Sequence, residues 1–200
     1  MTIDEKNAAR HALACVSHEL TGPLSALYTY LRLEQAGNTS STLTAAVRCA
    51  DRLRDITATL QAVAHVRDTI AERELGLALI QTAATLGHRL ELASTRTVRA
   101  TQRLELAASL AITAIARSAA DGALLAGELQ ALADRVRVWA WVDGKRPSTW
   151  QVSELFGGTR PCHELWLATL TVAAAGGQLH TATVDGVLAV ALELPGEFRA

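Results

Sequence analysis

The stretch Ser17-His18-Glu19-Leu20-Thr21-Gly22-Pro23-Leu24 lies inside a long helical pattern near the start of the chain. Apolar side chains recur there at spacings of three and four, which places them on one helical face: Leu13, Val16, Leu20, Leu24, Leu27 and Leu31. His18 lies two residues from both Val16 and Leu20, so its imidazole is predicted on the solvent-facing side of the helix. The pattern predicts one long amphipathic helix that presents a histidine to solvent.

A second helical stripe follows a short polar segment. Gly37-Asn38-Thr39-Ser40-Ser41 has the composition of a loop. Beyond it the apolar positions are again helical in period: Leu43, Val47, Ala50, Leu53, Ile56, Leu60, Val63 and Ile70. Two long helices joined by a short loop form an antiparallel hairpin, which alone leaves much of its apolar stripe uncovered. We expect a homodimer in which a second copy completes a four-helix bundle. The alternative is that the stripe packs on the rest of its own chain.

The remaining residues, 74–200, mix helices with strands. Helices are predicted at 75–90, 102–119 and 163–175, and strands at 90–93, 122–129, 135–142, 178–184 and 187–194. Asp185-Gly186 is a hairpin turn signal between the last two strands. The predicted fold class is α + α/β. An N-terminal antiparallel helical hairpin, residues 1–73, forms the dimeric bundle. A C-terminal α/β sandwich, residues 74–200, carries helices on one face of a largely antiparallel sheet.

Composition narrows the function classes. The formal net charge is −1 and there is no basic block, so neither nucleic acid nor an anionic membrane surface is an expected partner. No signal peptide and no apolar run long enough to span a bilayer is apparent. The three cysteines are scattered without metal-ligand spacing, which argues against a zinc site or a disulfide frame. We expect a cytoplasmic protein.

The stretch from Ser17 to Leu24 resembles the phospho-acceptor box of two-component histidine kinases, S-H-E-L-R-T-P-L, at six of eight positions. The resemblance implies that His18 accepts a phosphoryl group, while the adjacent Glu19 orients the ring or accepts its proton. Kinases of this class that also dephosphorylate their partner carry Thr or Asn four residues after the histidine. Gly22 stands there in this chain, so efficient phosphatase activity is not expected.

The order of elements after the hairpin resembles the ATP-binding domain of histidine kinases, the Bergerat fold. Residues 109–115 line up with its N-L-L-x-N-A-I box, and residues 164–168 lie where it has G-L-G-L-A. Val142-Asp143-Gly144 lines up with the start of its D-x-G-x-G box, in which the aspartate contacts adenine.

Four positions depart from that ATP-binding pattern. Ser109 and Thr113 replace asparagines that hold magnesium and the phosphates in the family, and a hydroxyl is a weaker oxygen ligand. Glu164 and Trp166 replace glycines that let the backbone approach the phosphates. Glu164 would repel a triphosphate and Trp166 would fill its space. We therefore expect no nucleotide or metal cofactor on this chain.

An acceptor hairpin followed by a degenerate ATP-binding domain resembles the dimeric histidine phosphotransferases. The resemblance implies an enzyme that relays phosphoryl groups between receiver-domain aspartates through His18, with magnesium supplied by the receiver. The implied partners are response-regulator receiver domains and a hybrid histidine kinase. Docking is expected on the helical face that His18 shares with small residues: Ala14, Cys15, Thr21, Gly22 and Ser25. One alternative is an inactive pseudokinase that binds and regulates a receiver or a histidine kinase. A second is an active ATP-dependent histidine kinase.

Overall fold

The structure, a computed structural model, describes residues 20–34, 40–66, 69, 73–93, 98–132, 135–152 and 163–195. The chain divides into two compact units, Met1–Ala64 and His65–Ala200. The first unit is a helical hairpin and the second is a mixed α/β sheet domain, so the predicted fold class is confirmed for the single chain. The dimeric bundle stays a prediction. The domain boundary between residues 73 and 74 stays a prediction.

The hairpin consists of helix α1, described over residues 20–34, and helix α2, Ser40–His65. Helix α2 includes Ser40 and Ser41, which were predicted in the loop. Serine is common where helices begin. Helix α2 ends at His65, and Ile70, the last member of the predicted second stripe, lies outside the described residues.

Few apolar side chains of the hairpin are buried. Among its described residues these are Ala46 and Ile56, at 5% and 1% exposure. Leu24 and Leu31 of the first predicted stripe remain 52% and 50% exposed, and Val47 of the second is 52% exposed. The helices thus carry the predicted apolar positions, but much of their apolar surface faces outward.

The second unit, taken by itself, contains three helices and six strands among the described residues. The helices are α3 (Leu75–Thr85), α4 (Gln102–Ser118) and α5 (His163–Ala174). The strands are β1 (Arg89–Leu92), β2 (Leu124–Ala131), β3 (Arg135–Val142), β4 (Gln151–Val152), β5 (Gln178–Val184) and β6 (Val187–Pro195). They form one sheet in the order β1-β2-β3-β6-β5-β4, in which β1 and β2 are parallel and every other pair is antiparallel.

The core of this unit lies between the helices and one face of the sheet. Along β3 the alternate residues Val136, Val138 and Ala140 are buried, and Val138 stands opposite Leu129 of β2 and Leu192 of β6. Helix α4 packs against α3, α5, β3 and β6, which makes it the central helix. The strict alternation in the sequence therefore marks the buried face correctly.

Turn residues set the ends of several elements. Thr101 caps α4 by accepting a hydrogen bond from the Leu104 N–H at 3.2 Å. Asp185 and Gly186 have φ of 50° and 78°, as a two-residue hairpin of type I′ requires, which confirms the predicted turn. The predicted helix 75–90 is too long, since α3 ends at Thr85. Gly87, with φ of 80°, then turns the chain into β1.

Candidate functional site

The predicted phospho-acceptor His18 and its neighbour Glu19 lie outside the described residues, as do Ala14 and Cys15 of the predicted docking face. Their roles stay predictions. The described part of α1 begins at Leu20, two residues after His18. What the structure describes is therefore the helical surface that follows the acceptor.

Thr21, Gly22 and Ser25 are exposed on α1. A Cβ atom added to Gly22 would meet nothing within 4 Å apart from its chain neighbours, one of which is Pro23. A glycine inside a helix costs about 0.5–1 kcal/mol relative to alanine. The surface beside the acceptor is thus helical, exposed and low in side-chain bulk.

A polar stripe follows one face of α4. Ser109, Thr113 and Arg117 are spaced by four residues and therefore share that face. The Thr113 hydroxyl donates to the Ser109 carbonyl at 2.8 Å, and the Thr82 hydroxyl of α3 lies 3.3 Å from the Ser109 hydroxyl. Both hydroxyls at the positions of the family's asparagines are engaged within the unit's own helices.

Two large side chains begin α5 at the positions of the family's glycines. Glu164 is 2% exposed and Trp166 is 5% exposed. Arg117 of α4 forms an ion pair with Glu164 Oε1, and His163 Nε2 lies 3.1 Å from the same oxygen. Both contacts converge on Oε1, whereas Glu164 Oε2 and the indole N–H of Trp166 have no hydrogen-bond partner.

These side chains change the charge and the free volume at the positions where the resemblance places glycines. A buried anion would oppose the charge of a triphosphate, and a buried indole occupies volume that a glycine leaves open. Sequence reasoning singled out both residues but missed Arg117 as the partner of Glu164. Its spacing of four from Thr113 was the available signal, since it places Arg117 on the same face of α4.

The turn after β3 holds Asp143 and Gly144, and both are exposed. The Asp143 N–H donates to the Leu124 carbonyl at 2.9 Å, and Gly144 has φ of 75°. This turn carries the matched pair of residues that survives from the D-x-G-x-G box.

The segment beyond this turn folds back over β3. The Arg146 guanidinium lies 4.9 Å from the Trp141 ring centroid and pairs with Glu128 at 2.8 Å. Trp141 is 7% exposed, and this cation–π contact contributes to its cover.

Glu193 is the charged centre of the outer sheet face. It lies opposite Arg137 in the β3–β6 register and pairs with both Arg135 and Arg137. Partial burial pushes the pKa of Glu193 up, but hydrogen bonds from the two arginines and their positive charges outweigh this and hold the pKa below its usual range. Glu193 is therefore a structural anion of the sheet.

No group of three or more His, Cys, Asp or Glu side chains within the described ranges is arranged to hold a metal ion. None of the helices described is both long enough and apolar enough to cross a membrane.

The fold is similar to several solved structures. The histidine kinase AdeS of Acinetobacter baumannii superposes with a TM-score of 0.64 at 14% identity, over 89% of this chain and 97% of that chain. The histidine kinase ThkA, in complex with the response regulator protein TrrA, gives 0.61 at 16% identity, over 96% of this chain and 63% of that chain. A bacterial phosphotransferase gives 0.53 at 14% identity, over 96% of this chain and 98% of that chain.

No protein-family model and no curated protein matches the sequence. At these identities the likeness concerns the fold alone. The chain therefore has a histidine-kinase-like fold, in which a helical hairpin precedes an α/β domain of the ATPase type.

Proposed function

We propose that this chain is a histidine phosphotransferase of a two-component phosphorelay. His18 takes a phosphoryl group from the aspartate of one receiver domain and passes it to the aspartate of another. The observation that carries the proposal is the burial of Glu164 and Trp166 where kinases of this fold have glycines. A phospho-acceptor hairpin without a nucleotide in its own chain must obtain its phosphate from a partner.

The transfer step requires little from this chain beyond an oriented nucleophile. The unprotonated ring nitrogen of His18 attacks the phosphorus in line, an N–P bond forms, and the P–O bond to the receiver aspartate breaks. The aspartate leaves as a carboxylate, and the phosphorylated ring loses its remaining extra proton, which Glu19 accepts. A neutral imidazole is abundant near pH 7, and loose phosphoryl transfer depends mostly on positioning and charge stabilisation. The receiver supplies the magnesium ion.

Receiver domains are the proposed partners, with a hybrid histidine kinase as the source of phosphate. The similar kinase ThkA was solved together with a response regulator, which supports a receiver as the docking partner. The half-exposed Leu24 and Leu31 of α1 support the homodimer, because a second hairpin would remove them from water.

The deciding experiment offers the purified protein two phosphate donors in separate reactions. Label from a phosphorylated receiver, and none from radiolabelled ATP with magnesium, is the expected result. Label from ATP alone would identify an active histidine kinase. No label from either donor, combined with stable receiver binding, would identify a regulatory pseudokinase.

The role of His18 is tested by substitution. His18→Gln should abolish phosphate acceptance while the oligomeric state, measured by light scattering, stays unchanged. His65→Gln is the matched control, since His65 is exposed at the end of α2 and should leave labelling intact. Undiminished labelling of the His18→Gln variant would contradict the assignment of His18 as the phospho-acceptor.

The docking face is tested by adding bulk. Ser25→Trp and Ala14→Arg should slow the initial rate of transfer from a phosphorylated receiver strongly, because a receiver helix needs close approach to the small residues beside His18. Ala120→Trp, at an exposed position of the second unit, controls for the general effect of a surface tryptophan. Normal rates in both hairpin variants, with unchanged circular dichroism, would place the docking surface elsewhere.

A further inference from the structure

The C-terminal end of α4 and the first turn of α5 share a charge cluster that phosphoryl transfer at His18 does not use. It consists of Arg117, His163 and Glu164. The side chain of Glu164 is 3% exposed and that of His163 is 6% exposed, whereas Arg117 is 45% exposed. The carboxylate of Glu164 is thus almost completely buried, whereas its cationic partner Arg117 remains partly exposed to solvent.

Burial of a carboxylate is strongly unfavourable unless neighbouring groups compensate its charge. Arg117 and His163 both contact Oε1 of Glu164, whereas Oε2 has no hydrogen-bond partner. The compensation comes from the guanidinium of Arg117 and from the N-terminal end of α5, in whose first turn Glu164 lies. His163 adds a further positive charge when it is protonated. Arg117 is therefore the group on which the buried charge depends most.

The cluster lies beside positions that the family resemblance assigns to the binding of magnesium and phosphate. Arg117 continues the α4 stripe that begins with Ser109 and Thr113, the positions where the family resemblance places the ligands of magnesium and phosphate. Glu164 stands at the first glycine of the box whose backbone approaches the phosphates. Arg117 and Glu164 join these two positions directly across the α4–α5 packing.

We propose that Glu164 is a built-in anion. Its carboxylate, held by Arg117, takes the place between α4 and α5 that a nucleotide phosphate takes in kinases of this fold. The protein's own charges join α4 and α5 at this point, so the unit needs no ligand to hold these two helices together. This inference rests on the proposed function, because a kinase would need the same place open for ATP.

A double-mutant cycle on thermal unfolding tests the charge dependence. Arg117→Ala should lower Tm by about 10 °C, because it leaves the Glu164 charge buried without its main partner. Glu164→Gln should lower Tm by less, since Arg117 can turn to solvent. The double variant should recover most of the loss seen in Arg117→Ala.

Arg54→Ala is the matched control for this cycle. Its ion pair with Asp51, at 3.1 Å, lies between side chains that are 74% and 51% exposed, so Tm should hardly move. A wild-type Tm for Arg117→Ala, or strictly additive losses in the double variant, would overturn the inference.

Chemical rescue tests whether the carboxylate replaces an anion. Glu164→Ala keeps Arg117 and His163 but removes the internal negative charge. Inorganic pyrophosphate at millimolar concentration should raise the Tm of this variant by a few degrees, and should leave both the wild type and the Arg117→Ala/Glu164→Ala variant unchanged. A Glu164→Ala variant that is insensitive to pyrophosphate would show that Glu164 does not stand in for an anion.

The same variants separate this inference from the proposed function when their His18 labelling by a phosphorylated receiver is measured. Labelling at the wild-type level, with the thermal results above, supports both. Labelling at the wild-type level without charge coupling or rescue overturns the built-in anion alone. A wild-type protein that is stabilised by ATP with magnesium and labels itself from ATP overturns both.

Discussion

The two units differ in how far their large apolar side chains are buried. In the described part of the hairpin, Leu24, Leu31 and Val47 are about half exposed, and Ile56 is the large side chain that is buried. In the second unit the central helix alone buries Leu104, Ile112 and Ile115 to 1% exposure or less. The second unit builds this core within one chain, while Leu77 and Ile80 of α3 remain 49% and 41% exposed. The hairpin presents an apolar face of the kind that marks an interaction surface.

The largest expected effect concerns self-association through the apolar face of the hairpin. Leu24→Asp together with Leu31→Asp should weaken self-association by at least about 100-fold, since each buried leucine is worth about 1.5–3 kcal/mol and an unpaired charge opposes its burial. Sedimentation velocity over a range of concentrations measures the change.

Leu33→Asp is the matched control for self-association. Leu33 is 41% exposed on the same helix but lies off the predicted stripe, so its substitution should leave the dimer intact. If Leu33→Asp weakened self-association as much as Leu24→Asp together with Leu31→Asp, an interface formed by the stripe would be contradicted.

The next effect concerns the core of the second unit. Ile115→Ala should reduce the free energy of unfolding by about 2–5 kcal/mol, because Ile115 is fully buried at 0% exposure and its removal leaves a cavity. Urea unfolding followed by tryptophan fluorescence reports this unit alone, since Trp139, Trp141, Trp150 and Trp166 all belong to it. Leu31→Ala, in the hairpin, should leave that transition in place. If Leu31→Ala shifted the urea transition as much as Ile115→Ala does, the two units would have to unfold together.

A smaller effect depends on pH. The lowered pKa of Glu193 means that its stabilisation is present above the usual glutamate pKa of about 4.3 and is lost as the pH falls through the lower native value. Glu193→Gln should cost at most about 1 kcal/mol at pH 7, because its arginine partners are partly exposed. The difference from wild type should shrink below pH 4 in the same urea experiment. A difference independent of pH would show that packing, and not charge, accounts for the loss.

The smallest expected effect concerns the stability of the hairpin when its exposed surface is changed at Gly22. Gly22→Ala should change the stability of the hairpin by less than about 1 kcal/mol, since the gain in helix propensity is opposed by the contact of the new Cβ with the ring of Pro23, the next residue. Thermal unfolding followed by helical circular dichroism measures it, with Ala26→Gly on the same helix as the reverse change. Destabilisation well beyond about 1 kcal/mol would indicate that another chain packs closely against this face.

The sequence by itself determined the elements whose information is local. The alternation in β3, the helical period of α4 and the Asp185-Gly186 turn each follow from residues that are neighbours in the chain, and all three are confirmed. The end of α3 was predicted five residues too late, and the two-residue strand β4 was not predicted, because continuing helix signals and very short strands leave no clear periodic trace.

Only the tertiary structure decided which distant residues meet. The pairing of Arg117 with Glu164 and the cover that Arg146 places over Trp141 arise from packing between separate elements. Periodicity along a chain reports the face on which a side chain lies, but the neighbouring element that packs on that face chooses its partner. The departure of Glu164 from the family pattern could be read in the sequence, while its conversion into a buried, compensated charge required the fold.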